Sequence, residues 1–420
     1  MPTITAKTMP PPAVLMIVTL DTKAQEAAFV RETLEAAGVR VVHLDASVRA
    51  TAPSTAEITP EELAATQGMS MDDVRALKHE GKCLSVMMAG AVQCALAWNK
   101  RDPLAGIIAI GGSMGSSLGT TVMKAFPYGV PKVMVSTMAS GFTVPFVGSA
   151  DIAMFNSVCD IAGLNSISRG VYLNAATAAA AMALRYTPVV AETKPLVAIT
   201  TLSTTDRCSV RIRRALTEHG CEVMVFHTLG TGGPAMDQII SERDVAAVVD
   251  LSLVEINDTL HGGLASAGLQ RARAALNKGV PTFFAPGNID FIVAGPLAGA
   301  EVQFPGRRYH VHNPALTAVR SNEQDFRDMA AHMAEMIRAA RGPVQFFVPL
   351  QGFSAHDSTE GHLHDPVMPA VFADALRAAL PPNVPLHVLD QHINDPAFAD
   401  AIIAEVLPYV TAHAAKRATP

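Results

Sequence analysis

The chain has 420 residues, which at about 150 residues per domain is enough for two or three domains. A hydrophobic share of 49% and a charged share of 17% fit a folded globular chain and exclude disorder. The net charge of -6, the 5% aromatic content and the single Trp98 exclude a basic, base-stacking nucleic-acid platform and an anionic membrane surface as partners. An anionic ligand therefore has to be held by local geometry, through backbone amides and a few cations.

Five cysteines (Cys83, Cys94, Cys159, Cys208, Cys221) form no Cys-x-x-Cys pair, which suits free thiols in a reducing cytoplasm. The apolar run at 14–18 is too short for a signal-peptide core, and no apolar stretch approaches the about 20 residues of a membrane span. The expected location is cytoplasmic.

Short apolar runs alternate with helical patterns along the whole chain, the mark of an α/β protein with mainly parallel strands. The first run, 14–18, reads as a buried strand; a helix over 24–37 follows, closed by Gly38, and leads into a strand over 39–44. The pattern weakens over 45–80, and the Pro- and Thr-rich 51–60 reads as an exposed loop. Strands over 106–110 and 132–135 come next. A second series begins after Tyr186-Thr187-Pro188, with strands over 196–200, 222–226, 246–250, 282–284, 344–348 and 386–389. The boundary falls at 187–194, giving domains 1–190 and 191–420. The interval from Leu20 to Gly38 equals that from Leu202 to Gly220, and the glycine pair Gly111-Gly112 is echoed by Gly262-Gly263. These echoes predict an internal duplication, two Rossmann-like domains and a ligand cleft between them.

The sharpest local feature is a strand running into Gly111-Gly112-Ser113-Met114-Gly115-Ser116-Ser117, with a helix beginning near Ser116. Glycines let the backbone approach a ligand, and the new helix offers unpaired N–H groups at the positive end of its dipole. That geometry suits a phosphate or carboxylate; the competing reading is a tight turn. It is neither a Walker A loop nor a dinucleotide fingerprint. Asp21-Thr22-Lys23 leaves the first strand and adds a cation, or simply caps the helix. Thr137, Ser140 and Gly141 supply small groups at another strand end, and Asp151 and Asp160 are candidates for a magnesium ion, with capping or exposure as the alternative.

In the second half, Glu255 and His261 beside Gly262-Gly263 form a candidate acid–base set. His310 and His312 would share one face of an extended strand, backed by Thr317 and Arg320. His356, Asp357, His362, His364 and Asp365 are dense, but His362-Leu363-His364 lacks the helical spacing of hydrolytic zinc sites. No Gly-x-Ser-x-Gly elbow is present.

Taken in order, Thr19-Leu20-Asp21-Thr22-Lys23, Gly111-Gly112-Ser113-Met114-Gly115-Ser116, Thr137-Met138-Ala139-Ser140-Gly141, Asp160-Ile161-Ala162-Gly163-Leu164-Asn165 and His312-Asn313-Pro314 with Thr317 and Arg320 resemble one uncharacterised family of bacterial and fungal proteins. That family is related to the N-terminal ATP-binding domain of the tomato mosaic virus resistance protein, and the resemblance spans about 14–410. It implies two Rossmann-like subdomains, a homodimer, and ATP with magnesium bound by the N-terminal half. The expectation is an ATP-binding enzyme of small-molecule metabolism, with phosphates on residues 111–117 and near Thr22-Lys23. A second metabolite would lie toward Glu255, His261, His312 and Arg320. A sugar-nucleotide or phosphosugar transferase and a non-catalytic, nucleotide-dependent interaction module are the rival readings.

Overall fold

The computed structural model describes residues 10–49, 53–141, 143–188 and 194–418. The chain divides into two compact units, Met1–Val190 and Ala191–Pro420. Of the boundary expected at 187–194, residues 189–193 lie outside the described residues.

The first unit carries a five-stranded parallel sheet, in the order β2-β1-β3-β4-β5. Its strands are β1 (Ala13–Ile17), β2 (Arg40–Leu44), β3 (Leu104–Gly111), β4 (Lys132–Ser136) and β5 (Ala153–Asn156). Every residue of β1 and β3 is buried, as a parallel strand covered on both faces requires. One face packs Val14 and Met16 on α1 (Leu20–Ala36), where Val30 and Leu34 are buried. The other packs Leu15 and Ile17 on the helices that follow β2 and β3. These are α2 (Pro60–Thr66), α3 (Met71–Ala76), α4 (Glu80–Arg101) and α5 (Ser113–Lys124); α6 (Val144–Val147) and α7 (Ser166–Arg185) complete the unit.

The structure revises three local expectations here. Helix α1 begins four residues before Ala24, because a first turn from Leu20 precedes a kink at Lys23 (φ -136°, ψ 31°). The 51–60 stretch, of which 51–52 lie outside the described residues, is not an exposed loop throughout: Ile58 is buried and exchanges backbone hydrogen bonds with His43 and Asp45 beside β2. Helix α4 is long and apolar enough by length and composition to cross a membrane, contrary to the expectation that no stretch is. In this unit it packs Cys83, Met87, Ala91 and Ala95 into the core.

The second unit has a six-stranded parallel sheet, ordered β14-β13-β9-β8-β6-β7. Its strands are β6 (Leu196–Thr201), β7 (Glu222–His227), β8 (Ala247–Ser252), β9 (Thr282–Gly287), β13 (Val344–Pro349) and β14 (Leu386–Leu389). A side sheet of β10 (Phe291–Ala294), β11 (Tyr309–Asn313) and β12 (Leu316–Arg320), antiparallel in the order β10-β12-β11, is inserted between β9 and β13. The helices are α8 (Asp206–Glu218), α9 (Gly232–Glu242), α10 (Val254–His261), α11 (Arg273–Lys278), α12 (Leu297–Gln303), α13 (Glu323–Arg338), α14 (Met368–Ala379) and α15 (Pro396–Ala418). Numbered from its own first strand, each sheet begins second-first-third-fourth-fifth, so α1 and α8 make the same crossover. The glycine echo does not extend to the structure. Gly111 ends a strand, whereas Gly262, at φ 77°, closes α10 one helix beyond the equivalent strand.

Helix α5 lies close on the sheet through Gly119, where an added Cβ would meet Ala109 Cβ at 2.5 Å and Met134 Sδ at 3.1 Å. Overpacking of this kind costs about 1–3 kcal/mol. Gly119→Ala should therefore lower the urea midpoint followed by circular dichroism, and an unchanged midpoint would show that the helix can lift without cost.

Candidate functional site

In a doubly wound sheet, ligands bind beyond the carboxyl ends of the strands where the strand order reverses. In the first unit that point is between β1 and β3, and a cavity of about 770 Å³ opens there. It is lined by Asp21, Thr22 and Lys23 after β1 and by Gly112, Ser113, Met114 and Gly115 after β3. The two motifs separated by some ninety residues of sequence thus meet in one cavity. Helix α5 starts at once after the strand, at Ser113, three residues before the position expected. Its N-cap is Gly112, in extended geometry, and no side chain caps the helix. The first-turn N–H groups and the positive end of a twelve-residue helix consequently face the cavity. Ser116 N–H donates to Gly112 O at 2.7 Å, and the buried Ser116 hydroxyl lies 2.6 Å from that of Ser136 at the end of β4. Lys23 reaches Thr22 Oγ1 with Nζ at 3.2 Å.

Part of the remaining wall comes from residues 45–80, where sequence reading found little. Arg49, Arg75 and Lys78 make this side cationic, against Asp21 and Glu80, while His79 caps α4 with Nδ1 accepting from Lys82 N–H at 3.3 Å. Arg49 pairs with Glu80 at 3.0 Å, and Asp21 Oδ2 accepts from the backbone N–H groups of Val48 and Arg49. Lys78 sits at φ 47°, an unusual conformation for a side chain of this kind. Ile17, Val18, Leu84, Met87, Ile110 and Leu118 form an apolar wall. The signal that could have revealed these helices is a pair of capping boxes, Thr59 with Glu62 and Ser70 with Asp73.

The other candidates in this unit lie elsewhere. Ser117 and Thr137 are not in the cavity wall, although Thr137 Oγ1 is 3.8 Å from where a Cβ on Gly112 would stand. Ser140 and Gly141 are exposed in the turn after β4. Asp151 is bound at the amino end of that strand, to Lys132 Nζ at 2.6 Å and to Gly129 N–H at 2.7 Å. Asp160 is exposed and accepts from its neighbour Ile161 N–H. Its motif is structural in this fold: Asn165 caps α7 through the N–H groups of Ile167 and Ser168, and buried Glu26 of α1 accepts from Gly163 N–H at 2.7 Å. Among the described residues, no three His, Cys, Asp or Glu side chains are grouped to hold a metal ion.

In the second unit the four candidate catalytic residues fall into four environments. Glu255 is fully buried, bonded to Arg271 Nε at 2.7 Å and to the N–H groups of Gly230 and Gly233. The same guanidinium holds Asp250 through both Nη atoms at 2.8 Å. Both Glu255 oxygens are engaged inside the protein, an arrangement that builds the fold and leaves no proton acceptor facing a ligand. His261 is bonded through Nδ1 to Asn257 O, with Nε2 3.7 Å from Asp325. Arg320 is buried with its Nη1 at 3.1 Å from Asp357 and 3.8 Å from Asp290. Burial raises both carboxyls, Asp357 to about 7, and their mutual repulsion adds to the rise of Asp357. His312, exposed on β11, lines a smaller cavity with His227 and His356.

Fold and cavity together define a two-unit, doubly wound α/β protein with an anion-suited pocket at the switch point of its first unit. By comparison with known proteins, residues 12–188 match the N-terminal domain and residues 194–410 the C-terminal domain of the Uncharacterised protein family (UPF0261). The chain belongs to that family. It is 32% identical over 398 residues to a UPF0261 protein of Clostridium tetani, covering 94% of this chain and 98% of that one. A Mesorhizobium japonicum UPF0261 protein is 34% identical over 395 residues, covering 93% and 98%. The ToMV resistance protein Tm-1(GCR237) of Solanum lycopersicum is 29% identical over 423 residues, which is 94% of this chain and 55% of the tomato protein.

Two measurements check the structural roles. Arg271→Met leaves Asp250 and Glu255 buried without their cation, and should cost about 3–5 kcal/mol in urea unfolding; a smaller loss would mean that water reaches the pair. Asp258 is buried, with Ala265 and Val293 N–H groups on its two oxygens, and burial raises its carboxyl from 3.8 to about 7. A raised carboxyl favours the native state while it stays protonated. Its contribution is complete below 3.8 and is lost as pH rises through about 7. Unfolding free energy should decline across that window, and Asp258→Asn should flatten the decline.

Proposed function

We propose that the first unit binds ATP, accompanied by magnesium, and that the chain is a cytoplasmic enzyme which uses it on a small metabolite bound by the second unit. The observation that carries this reading is the convergence of the uncapped α5 terminus, Lys23 and the cations Arg49, Arg75 and Lys78 on one cavity of about 770 Å³. That volume lies within the range of small-molecule sites, and a triphosphate matches its cationic side. The apolar wall of Val18, Leu84, Met87 and Leu118 suits a base. Magnesium bound to a nucleotide takes most of its ligands from phosphates and water, so one or two carboxylates suffice. Asp21 and Glu80 are those facing the cavity, and they replace Asp151 and Asp160 in this reading. The shared strand order supports descent of the two units from one duplicated framework.

A homodimer is part of the same reading. Ile167, Leu173 and Leu184 of α7 are about half exposed, apolar surface that a second copy would cover. Light scattering at micromolar concentration should give twice the chain mass.

Gly112→Val is the decisive variant. Gly112 has φ -70°, so no left-handed backbone is lost, and its added Cβ meets nothing nearer than Thr137 Oγ1 at 3.8 Å. The fold should survive while the branched side chain fills the phosphate position and abolishes Mg-ATP binding in calorimetry. Lys23→Ala should weaken binding by about 1–3 kcal/mol. Wild-type affinity in folded Gly112→Val would reduce the loop to a turn. ATP turnover that appears only with an added metabolite supports an enzyme; tight binding without turnover supports a nucleotide-dependent interaction module.

A further inference from the structure

The second unit has a cavity of different chemistry at the carboxyl edge of its own sheet. The chain leaving β6 and β7 meets the side sheet there and borders an open cavity of about 220 Å³. Leu202, Leu229, Phe291, Val293, Leu316 and Ala318 make most of the wall apolar. The ionisable side chains lining it are three imidazoles, His227, His312 and His356; the other polar side chains are the hydroxyls of Ser203, Thr204 and Thr317. Among the described residues, no Asp, Glu, Lys or Arg lines it.

His356 is the centre of a larger group. Its ring lies 4.4 Å from that of His310 and 5.6 Å from Phe291, and His310 stacks on His362 at 5.0 Å. Burial, with His310 and His312 from β11 and His362 from its own loop, lowers His356 to about 4. The next residue, Asp357, supplies no counter-charge to this group, because it faces Arg320 and shares that arginine with Asp290. His227, across the cavity on β7, adds another group of the same sign when protonated. The cavity wall is therefore largely apolar and, among the described residues, sets its imidazoles beside no anionic side chain. Each hydroxyl or protonated imidazole can donate a hydrogen bond, and the matching charge has to come with the ligand.

We propose that this cavity binds the anion of a small monocarboxylic acid with a short apolar body, together with one proton taken up by the histidine group. The balance is simple: carboxylate, proton and neutral imidazole give a carboxylate–imidazolium pair, and no covalent bond changes. The space and the apolar wall disfavour phosphates and nucleotides. This deepens the reading of the second unit as the metabolite-binding half and rests on it for relevance to turnover, but its test is independent of ATP.

Calorimetric titration of the full chain with butyrate, pyruvate and lactate, each against its uncharged amide, tests the proposal. At least one acid should bind ten times or more tighter than its amide. Its affinity should rise about tenfold for each unit of pH lowered above the histidine range. Heats measured in two buffers of different ionisation enthalpy should report uptake of one proton. Leu316→Trp fills the cavity and should abolish binding. His312→Gln, at an exposed position where folding is not at risk, should weaken binding and reduce the pH slope. Gly112→Val should bind the acid as wild type does, which separates failure here from failure of the nucleotide site. Equal binding of the amide, pH-independent binding, absence of saturation by about ten millimolar of any of the three acids, or unchanged binding in both cavity variants would overturn the proposal.

Discussion

The approach of Gly111 to Gly115 fixes the first unit's cavity. A Cβ on Gly111 would stand 2.5 Å from Gly115 Cα, so the last residue of β3 can lie against the backbone of the first turn of α5 only because Gly111 carries no side chain. That contact lets the helix begin without a linker, and it aims the first-turn N–H groups along the line of the strand. Gly119, one turn later, keeps the helix axis close to Ala109 and so holds that direction. With β1 as the neighbour of β3, the exit at Thr19 to Lys23 must open beside the same helix end. The cation at Lys23 and the amide cradle are thus consequences of one steric allowance and one strand order.

The second unit handles charge differently. The Arg271 guanidinium directs Nε to Glu255 and both Nη atoms to Asp250, and Thr200 Oγ1 supports Asp250 at 2.7 Å. Such a cluster sits at the centre of a core without offering chemistry to a ligand, because every carboxylate oxygen already accepts a hydrogen bond inside the protein. Gly233, whose added Cβ would collide with Arg271 and Glu255, shows how closely the backbone was brought round it. Glu255 looks catalytic beside His261 in one dimension, yet in three dimensions the two point to different partners, Arg271 and the acidic start of α13.

What could be read from the chain follows from the range of the interaction involved. The parallel strands were legible because burial on both faces makes them continuous apolar runs, and Leu196–Thr201 and Val344–Pro349 extend their expected spans by one residue at the end. The glycine loop was legible because its geometry is local. The side sheet was not: β10 pairs with β12 across an intervening helix and strand, and a four-residue apolar run such as Phe291–Ala294 states no partner. The histidine group was hidden for the same reason. His310 and His312 belong to one strand, while His356 and His362 arrive some fifty residues later on a loop. Asp160 and Asn165 fall on the structural side of the alternatives the sequence left open: Asp160 is exposed and accepts from its neighbour Ile161 N–H, and Asn165 caps α7.

Two sheets that begin with the same strand order carry cavities of contrasting chemistry, and the contrast comes from what is inserted at the carboxyl edge. In the first unit the segment after β2 folds into α2, α3 and the start of α4, and contributes Arg49, Arg75, Lys78 and His79. In the second the insertion follows β9 and brings apolar strand faces and imidazoles. Arginines and a lysine stay charged over the whole accessible pH range and attract a polyanion throughout it, whereas imidazoles are the side chains whose charge a bound ligand can shift. The parallel sheets supply the edge and its direction; the insertions decide which charge is welcome there.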